Sequence, residues 1–176
     1  VEDLTKHKMD SDDFMIEELD EGSNILENGD LETAAPNYWS MLGADGTDAT
    51  LTWEMDEGYE GGRCVKIVKP SVTTGDVSWR SDDNSNLYWN HAKAERLYNL
   101  SFRAKTEGVN TDPADVTAKI GVYYAFFNGS TSLGSQFVEV DQSAATTDWT
   151  EYTGGLLIPA GLDPDGMWIT ISMGQN

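Results

Sequence analysis

Residues 96–108, RLYNLSFRAKTEG, indicate the fold class of this chain most clearly. Along this stretch apolar residues alternate with polar ones, as Leu100, Phe102 and Ala104 against Ser101, Arg103 and Lys105. A period of two is typical of a β-strand that buries one face and exposes the other. The following stretch, VNTDPAD at 109–115, contains turn-forming residues and predicts a loop.

Further alternating runs lie on both sides of this strand. The longest is DVTAKIGVYYAFFNG at 115–129, in which Val116, Ala118, Ile120 and Val122 form an apolar face opposite Tyr123. The others are ATLTWEM at 49–55, RCVKIVK at 63–69, DVSWRS at 76–81, QFVEVD at 136–141, DWTEYTGGLLIP at 148–159 and MWITISM at 167–173. Many short strands joined by glycine-rich turns predict an all-β fold, an antiparallel β-sandwich of the jelly-roll type.

The first residues differ in texture from the rest. The stretch MDSDDFMIEELDE at 9–21 is acidic and does not continue the clear alternation seen later. It predicts an acidic linker or N-terminal extension over residues 1–21, followed by a sandwich module over 22–176.

The charge balance excludes two classes of partner. The chain has 31 Asp and Glu against 11 Lys and Arg, a net charge of −20. This field repels phosphate backbones and anionic lipids, and no apolar run is long enough to span a bilayer. Nucleic acid and membranes are therefore not expected partners, whereas a neutral ligand or a cation such as calcium is compatible with the charge.

Catalytic residues are scarce. The chain has only two histidines, His7 and His91, and the single cysteine Cys64 lies inside a strand run. No nucleophile, zinc or phosphate-binding motif occurs. Paired carboxylates remain, as glycoside hydrolysis requires, but a chain with 31 acids contains such pairs by chance. We therefore expect a protein that is not itself an enzyme.

The aromatic content favours sugar binding. The chain has six Trp and seven Tyr. The C–H face of a pyranose ring packs on a flat aromatic ring, while polar side chains bind its hydroxyls. We expect Trp39, Trp149, Tyr98 and Phe102 to belong to the core, which leaves other aromatics as candidate ligand contacts.

Several motifs in a fixed order resemble a known family. They are NILENGDLE at 24–32, EGGRCVKIV at 60–68, VSWRSD at 77–82, RLYNLSFRAKTEG at 96–108, TTDWTEY at 146–152 and MWITISMG at 167–174. Their order is similar to that of carbohydrate-binding modules of families 4 and 22, although Leu31 stands where those modules usually have an aromatic residue. The resemblance implies a secreted or cell-surface β-sandwich module that binds xylan and belongs to a glycoside hydrolase such as a xylanase.

The resemblance and the strand pattern together predict the ligand contacts. By resemblance, Trp79 stacks on a sugar, Asp82 binds its hydroxyls and Phe137 supplies a second stacking ring; a core tryptophan is the alternative for Trp79. From the strand pattern, Tyr123 projects from a polar face and Arg103 points the same way from the neighbouring run. Trp89 and Tyr88, in the polar stretch NSNLYWNH at 84–91, are expected at the edge of a cleft.

The resemblance also implies a structural calcium ion. Glu32 aligns with a carboxylate ligand, and Arg63 would contribute its backbone oxygen, which suits a hard cation. In the family the last strand contains an isoleucine–aspartate–aspartate element that supplies a further ligand. This sequence ends at GQN without that element, so the strand is either missing or supplied elsewhere.

Three functions stay open on the sequence. The first is a xylan-binding module that holds a catalytic domain on its substrate, with xylan or a xylo-oligosaccharide as ligand. The second is a β-glucan-binding module of the same fold. The third is a structural or adhesive sandwich domain that has no sugar site.

Overall fold

The alternating runs form strands in the computed structural model, which describes residues 6–18, 29–33, 39–42, 49–70, 77–81, 94–109, 111 and 119–173. Within these ranges the strands are β1 (Lys6–Glu18), β2 (Trp39–Leu42), β3 (Thr50–Glu54), β4 (Cys64–Pro70), β5 (Val77–Ser81), β6 (Leu97–Glu107), β7 (Ile120–Asn128), β8 (Thr131–Glu139), β9 (Thr147–Leu157) and β10 (Gly166–Met173). A short 3-10 turn, Tyr59–Gly61, precedes β4.

The strands form two antiparallel sheets that pack face to face. Sheet A has the order β3-β4-β1-β6-β9 and sheet B the order β2-β5-β10-β7-β8. This arrangement confirms the predicted antiparallel β-sandwich. In the described part of the chain no helix is long and apolar enough to cross a membrane.

The N-terminal strand β1 corrects the prediction of a linker over residues 1–21. It lies in the middle of sheet A and pairs with β4 on one side and β6 on the other. Its inward residues Met9 and Phe14 are buried, and the Phe14 ring stacks on Phe102 at 5.6 Å between centroids. The alternation is hard to see in the sequence because a register shift falls between Asp12 and Met15. The first strand is therefore part of the core.

The apolar side chains that alternate along the other strands fill the space between the two sheets. The inward side chains are buried, and among them are Tyr98, Leu100 and Phe102 of β6, Val122, Tyr124 and Phe126 of β7, and Met167, Ile169 and Ile171 of β10. Burying one such side chain stabilises the fold by roughly 1.5–3 kcal/mol. The core positions expected for Trp39, Tyr98 and Phe102 are confirmed. Residues 116–118 of the predicted apolar face lie outside the described residues.

Candidate ligand-binding face

The outward side chains of sheet B form an aromatic surface, which we call the aromatic face. Its members are Arg80 on β5, Trp168 and Thr170 on β10, Tyr123 and Phe127 on β7, and Phe137 on β8, and all are partly exposed. They point outward because their neighbours along each strand, such as Ile169 and Val122, point into the core. Four of the six lie in one row across the sheet, in the register Arg80–Thr170–Tyr123–Phe137.

Two predicted ligand contacts meet in this row. Tyr123 and Phe137 are direct partners across the β7–β8 ladder. The Phe137 ring lies over Gly121, where an added Cβ would be 2.7 Å from the ring carbon Cζ and would also clash with the carbonyl oxygen of Val138. A glycine at 121 is therefore needed for the ring to rest close to the sheet. We call this pair of partly exposed rings on the outer face of sheet B the aromatic strip.

A second aromatic pair continues the face toward the other end of the strands. The rings of Phe127 and Trp168 meet edge to face, with centroids 4.6 Å apart and planes at 82°. The guanidinium carbon of Arg80 lies 3.2 Å from the centroid of the Trp168 ring. The Trp168 Nε1 donor is buried and has no hydrogen-bond partner among the described residues. Trp168 thus forms a stacked cation–π pair with Arg80, the member of the row on β5.

Three residues of the aromatic face, Arg80, Phe127 and Trp168, were not predicted from the sequence. The alternation of the strand could have identified Trp168. Its two neighbours, Met167 and Ile169, point into the core, so Trp168 points outward. The same argument applies to Arg80, which follows Trp79.

Trp79 lies on the opposite side of β5 from Arg80 and faces the core. Its side chain is 0% exposed, and its Nε1 donates a hydrogen bond of 3.3 Å to the backbone carbonyl of Lys66 in sheet A. The ring therefore presents no face to a ligand. This placement corrects the expectation of a stacking tryptophan and matches the alternative of a core tryptophan.

Arg103 lies on the other side of the molecule from Tyr123, so the prediction that the two point the same way is wrong. Strand β6 belongs to sheet A and β7 to sheet B, and their outward faces are opposite. The guanidinium carbon of Arg103 lies 4.4 Å from the centroid of the Tyr59 ring, and a terminal nitrogen lies 3.7 Å from a Glu151 carboxylate oxygen. Trp149, expected in the core, also lies on this outer face of sheet A, partly exposed, with Lys105 Nζ 5.0 Å from its centroid. A period of two along a strand distinguishes the inward side chains from the outward ones, but it does not show which sheet the strand belongs to.

Three predicted contacts, Asp82, Tyr88 and Trp89, lie outside the described residues. All the residues assigned to the aromatic face therefore lie on strands of sheet B.

The two predicted calcium ligands are close together. The Glu32 side-chain oxygen Oε1 accepts a hydrogen bond of 2.8 Å from the backbone N–H of Arg63. The Arg63 guanidinium also contacts Glu32, with Nε 3.8 Å from Oε2 and a terminal nitrogen donating to the backbone carbonyl. Leu31, which precedes Glu32, is buried and has φ 59°, a left-handed backbone angle that is rare for leucine.

A third acid, Asp12 of β1, lies beside this pair. Its Oδ2 accepts a hydrogen bond of 2.9 Å from the Tyr59 backbone N–H. An added Cβ at Gly58 would lie 2.6 Å from Asp12 Oδ2 and 2.5 Å from the Arg63 carbonyl oxygen. An added Cβ at Gly62 would lie 2.9 Å from Glu32 Oε1. The two glycines therefore lie in an oxygen-rich cradle formed by Asp12, Glu32 and the Arg63 carbonyl.

The described residues contain no group of three or more His, Cys, Asp or Glu side chains that could hold a metal ion. A cation in the cradle would therefore depend on two carboxylates together with backbone oxygens.

The position of Cys64 does not suit a nucleophile. Its side chain is buried, and this burial raises the pKa of the thiol to about 12. The thiolate is the reactive form of cysteine, so the side chain is unreactive at neutral pH.

Comparison with protein-family models, with curated proteins and with solved structures finds no match to this chain.

Proposed function

We propose that this chain is a non-catalytic polysaccharide-binding module that binds a xylan chain on the aromatic face of sheet B. The observation that carries the proposal is the row in which Tyr123 and Phe137 lie side by side and partly exposed. Soluble proteins normally bury such rings, so a group of them on one outer face needs a ligand or partner to explain it. Thr170, which lies next to Tyr123 in the row, can bind the hydroxyls of a sugar whose C–H face rests on the rings.

The aromatic strip is held in place before any ligand arrives. Phe137 rests on Gly121, and its strand β8 is paired with β7 along its length. A preorganised surface loses little conformational entropy on binding, so weak stacking contacts of roughly 1–3 kcal/mol per ring suffice for micromolar to millimolar affinity. A module that keeps an attached enzyme near its polymer needs no more than this, because attachment raises the effective concentration of the substrate.

The place of the module in a larger protein rests on the resemblance to carbohydrate-binding modules of families 4 and 22. On that basis we propose a secreted or cell-surface glycoside hydrolase, such as a xylanase, as its parent protein.

Affinity electrophoresis tests the proposed ligand. The chain is run in native gels that contain xylan, mixed-linkage β-glucan or no polysaccharide, beside the Tyr123→Ala and Phe137→Ala variants. Retardation by xylan that either variant weakens at least about tenfold supports the proposal, since one stacked ring contributes about that much. Retardation by glucan alone would replace xylan with β-glucan as the ligand.

Two further outcomes separate the remaining functions. Retardation by neither polymer would favour a structural or adhesive domain without a sugar site. Retardation that both variants retain would mean that the sugar does not bind on Tyr123 and Phe137. Release of reducing sugar from xylan by the isolated chain would show that it is an enzyme after all. Trp149→Ala serves as the matched control, because it removes a partly exposed aromatic ring from the opposite sheet.

We also propose that the cradle at Gly58 and Gly62 binds a structural calcium ion through Glu32, Asp12 and the Arg63 carbonyl. Carboxylate and carbonyl oxygens are the ligands that Ca²⁺ prefers. In this chain the consecutive acids Asp12 and Asp13 belong to β1.

A bound calcium ion would tie β1 to the segment before β4 and raise the stability of the fold. Thermal unfolding in calcium and in chelator tests this for the wild type and for Asp12→Asn and Glu32→Gln. We expect calcium to raise the Tm of the wild type by several degrees and to lose this effect in both variants. An equal Tm in calcium and in chelator for the wild type would exclude the site.

A further inference from the structure

Strand β9 is the last strand of sheet A, and one of its edges is unpaired. It pairs with β6 from Thr147 to Leu157, and among the described strands none pairs with its other edge. The backbone N–H and C=O groups along such an edge can form a ladder with another extended chain. Because β9 has 11 residues, the edge is long enough to pair with a complete additional strand.

The direction of the backbone groups follows from the β6–β9 ladder. The Ile158 N–H donates a hydrogen bond of 3.0 Å to the carbonyl of Arg96, at the position that continues the register of the ladder. In an antiparallel ladder hydrogen-bonded pairs alternate with pairs that are not bonded to each other, so every second residue of β9 bonds to β6. The residues between them, Glu151, Thr153 and Gly155, therefore direct their N–H and C=O groups away from β6. All three residues are exposed.

The features by which soluble proteins block an edge strand do not occur along residues 151–155. The sequence of β9, TDWTEYTGGLL, has no lysine, arginine or proline. The register shift of the β6–β9 ladder falls between Ala104 and Thr106, so the ladder is regular along residues 151–155. Lysine, proline and bulges are common means of preventing pairing at an edge. The edge of β9 can therefore accept a further strand.

The charge of β9 favours a basic partner. The charged residues of the strand are Asp148 and Glu151, and both are exposed acids. Within the described part of the chain only Glu151 of these two forms an ion pair, with a terminal nitrogen of Arg103 3.7 Å from its carboxylate. The whole chain carries a net charge of −20, so it repels a second copy of itself and attracts a basic segment.

Two exposed leucines lie at the end of the same edge. Leu97 and Leu157 are direct partners across the β6–β9 ladder, and they are 40% and 59% exposed. A strand added beside β9 would cover part of this pair if it carried an apolar side chain at that end. Burial of the leucines would then add to the main-chain hydrogen bonds.

We propose that the outer edge of β9 binds, as an added β-strand, an extended segment of a partner protein that carries lysine or arginine beside Glu151 and an apolar residue beside Leu157. In this mode of recognition the main-chain hydrogen bonds give the affinity and alternate side chains give the specificity. The inference does not depend on the proposed function, because β9 belongs to sheet A and the aromatic face belongs to sheet B.

Amide hydrogen exchange followed by NMR tests the edge residue by residue. The probe is a short peptide of alternating lysine and threonine with a leucine at one end. At a peptide concentration of about ten times its Kd, exchange at the amides of Glu151, Thr153 and Gly155 is expected to slow about tenfold, because only the unbound fraction exchanges there. The same peptide with methylated backbone nitrogens keeps the charge but has no N–H donors, and it is expected to leave the exchange unchanged.

Thr153→Pro blocks the edge and keeps the β6–β9 ladder, since the N–H that it removes points away from β6. The slower exchange at Glu151 and Gly155 is expected to be lost in this variant and kept in the matched variant Thr153→Ala. Glu151→Gln is expected to weaken peptide binding about twofold to fivefold, the contribution of an exposed ion pair. Far-UV circular dichroism and the Tm show that each variant is folded. The methylated peptide makes the same comparison in the wild type and does not depend on the folding of a variant.

Unchanged exchange at the three amides in the presence of the lysine peptide would overturn the inference. Equal protection by the methylated peptide, protection that survives Thr153→Pro, or equal binding of a matching glutamate peptide would overturn it as well. Protection of these amides that rises with protein concentration, in the absence of peptide, would assign the edge to a second copy of this chain and would exclude the basic partner.

Discussion

The outer faces of the two sheets differ in how their polar and aromatic groups are used. On sheet A the charges are paired with one another: Asp10 lies 3.5 Å from both Lys8 and Lys105, and Lys66 contacts Glu54 at 3.2 Å. The segment before β4 lies over these charges, since Lys105 Nζ also donates a 3.2 Å hydrogen bond to the carbonyl of Glu57. On sheet B the corresponding surface is formed by partly exposed rings in register.

The difference shows that a partly exposed aromatic ring does not by itself mark a binding site. Trp149 on sheet A has Tyr59 against it, with centroids 6.4 Å apart, and the Lys105 ammonium near it. Its neighbours within the fold account for its position. Tyr123 and Phe137 on sheet B are direct partners across the β7–β8 ladder, and within the part of the chain that the structure describes neither ring has a cation stacked on it. A neutral ligand is therefore expected to bind the outer face of sheet B and not that of sheet A.

The largest expected effect tests whether sheet A is built on β1. Phe14→Ala removes a ring that is 1% exposed and packs on Trp39 and Phe102. We expect a loss of about 3–5 kcal/mol in the free energy of unfolding, the range for a buried Phe replaced by Ala. Urea denaturation followed by tryptophan fluorescence measures it. Thr50→Ala, at an exposed position of the same sheet, is the control, and equal stability of both variants would mean that β1 is dispensable.

A smaller effect tests the contrast between the two aromatic surfaces. Trp149→Ala removes the cation–π contact with Lys105 and the edge contact with Tyr59, which together stabilise the fold by about 1 kcal/mol. We expect stability to fall by that amount and polysaccharide affinity to stay the same. A loss of affinity as large as that caused by Tyr123→Ala would erase the distinction between the two sheets.

The smallest effect concerns the paired charges of sheet A. Burial raises the pKa of Asp10, and the nearby Lys8 and Lys105 offset this only in part. The folded state therefore holds the Asp10 proton more tightly than the unfolded state, whose carboxyl has a pKa of about 3.9. The stability that this proton provides is complete below the unfolded pKa and is lost as the pH rises through the folded pKa.

Asp10→Asn isolates this contribution because the amide stays neutral at every pH. We expect the variant to gain stability relative to the wild type as the pH rises from 3 to 7, with the gain beginning above the unfolded pKa. Thermal melts of both proteins across this range measure it. A stability difference that does not change with pH would contradict the raised pKa.

Much of the fold was predictable from the alternation of the strands. The runs at 96–108 and 167–173 form β6 and β10, and Leu100, Phe102 and Ala104 of β6 are buried as expected. The strand β1 was not predictable from the sequence. Positions 10 and 12 on its outward side are aspartates, and a register shift after Asp12 interrupts the alternation of apolar and polar residues. The strands that pair with it, β4 and β6, are distant from it in sequence.

The candidate site was predictable only in part. Tyr123 was identified as an aromatic on the polar side of its run, and Phe137 was identified from the resemblance to the family. Trp79 was misplaced because its neighbour Arg80, and not the tryptophan, lies on the outward side of β5. Arg103 was misplaced because nothing in a single strand tells which sheet it joins.

The sequence by itself determined that the chain is all-β, which side of most strands is apolar, and that no common catalytic motif is present. These properties are local, since they depend on residue type and on a period of two along one strand. Only the tertiary structure decided that β1 is central to sheet A, that β6 and β7 belong to opposite sheets, and that Arg80 and Trp168 join Tyr123 and Phe137 on one face. Those relations depend on pairing between distant segments, which is set by the packing of the whole sandwich.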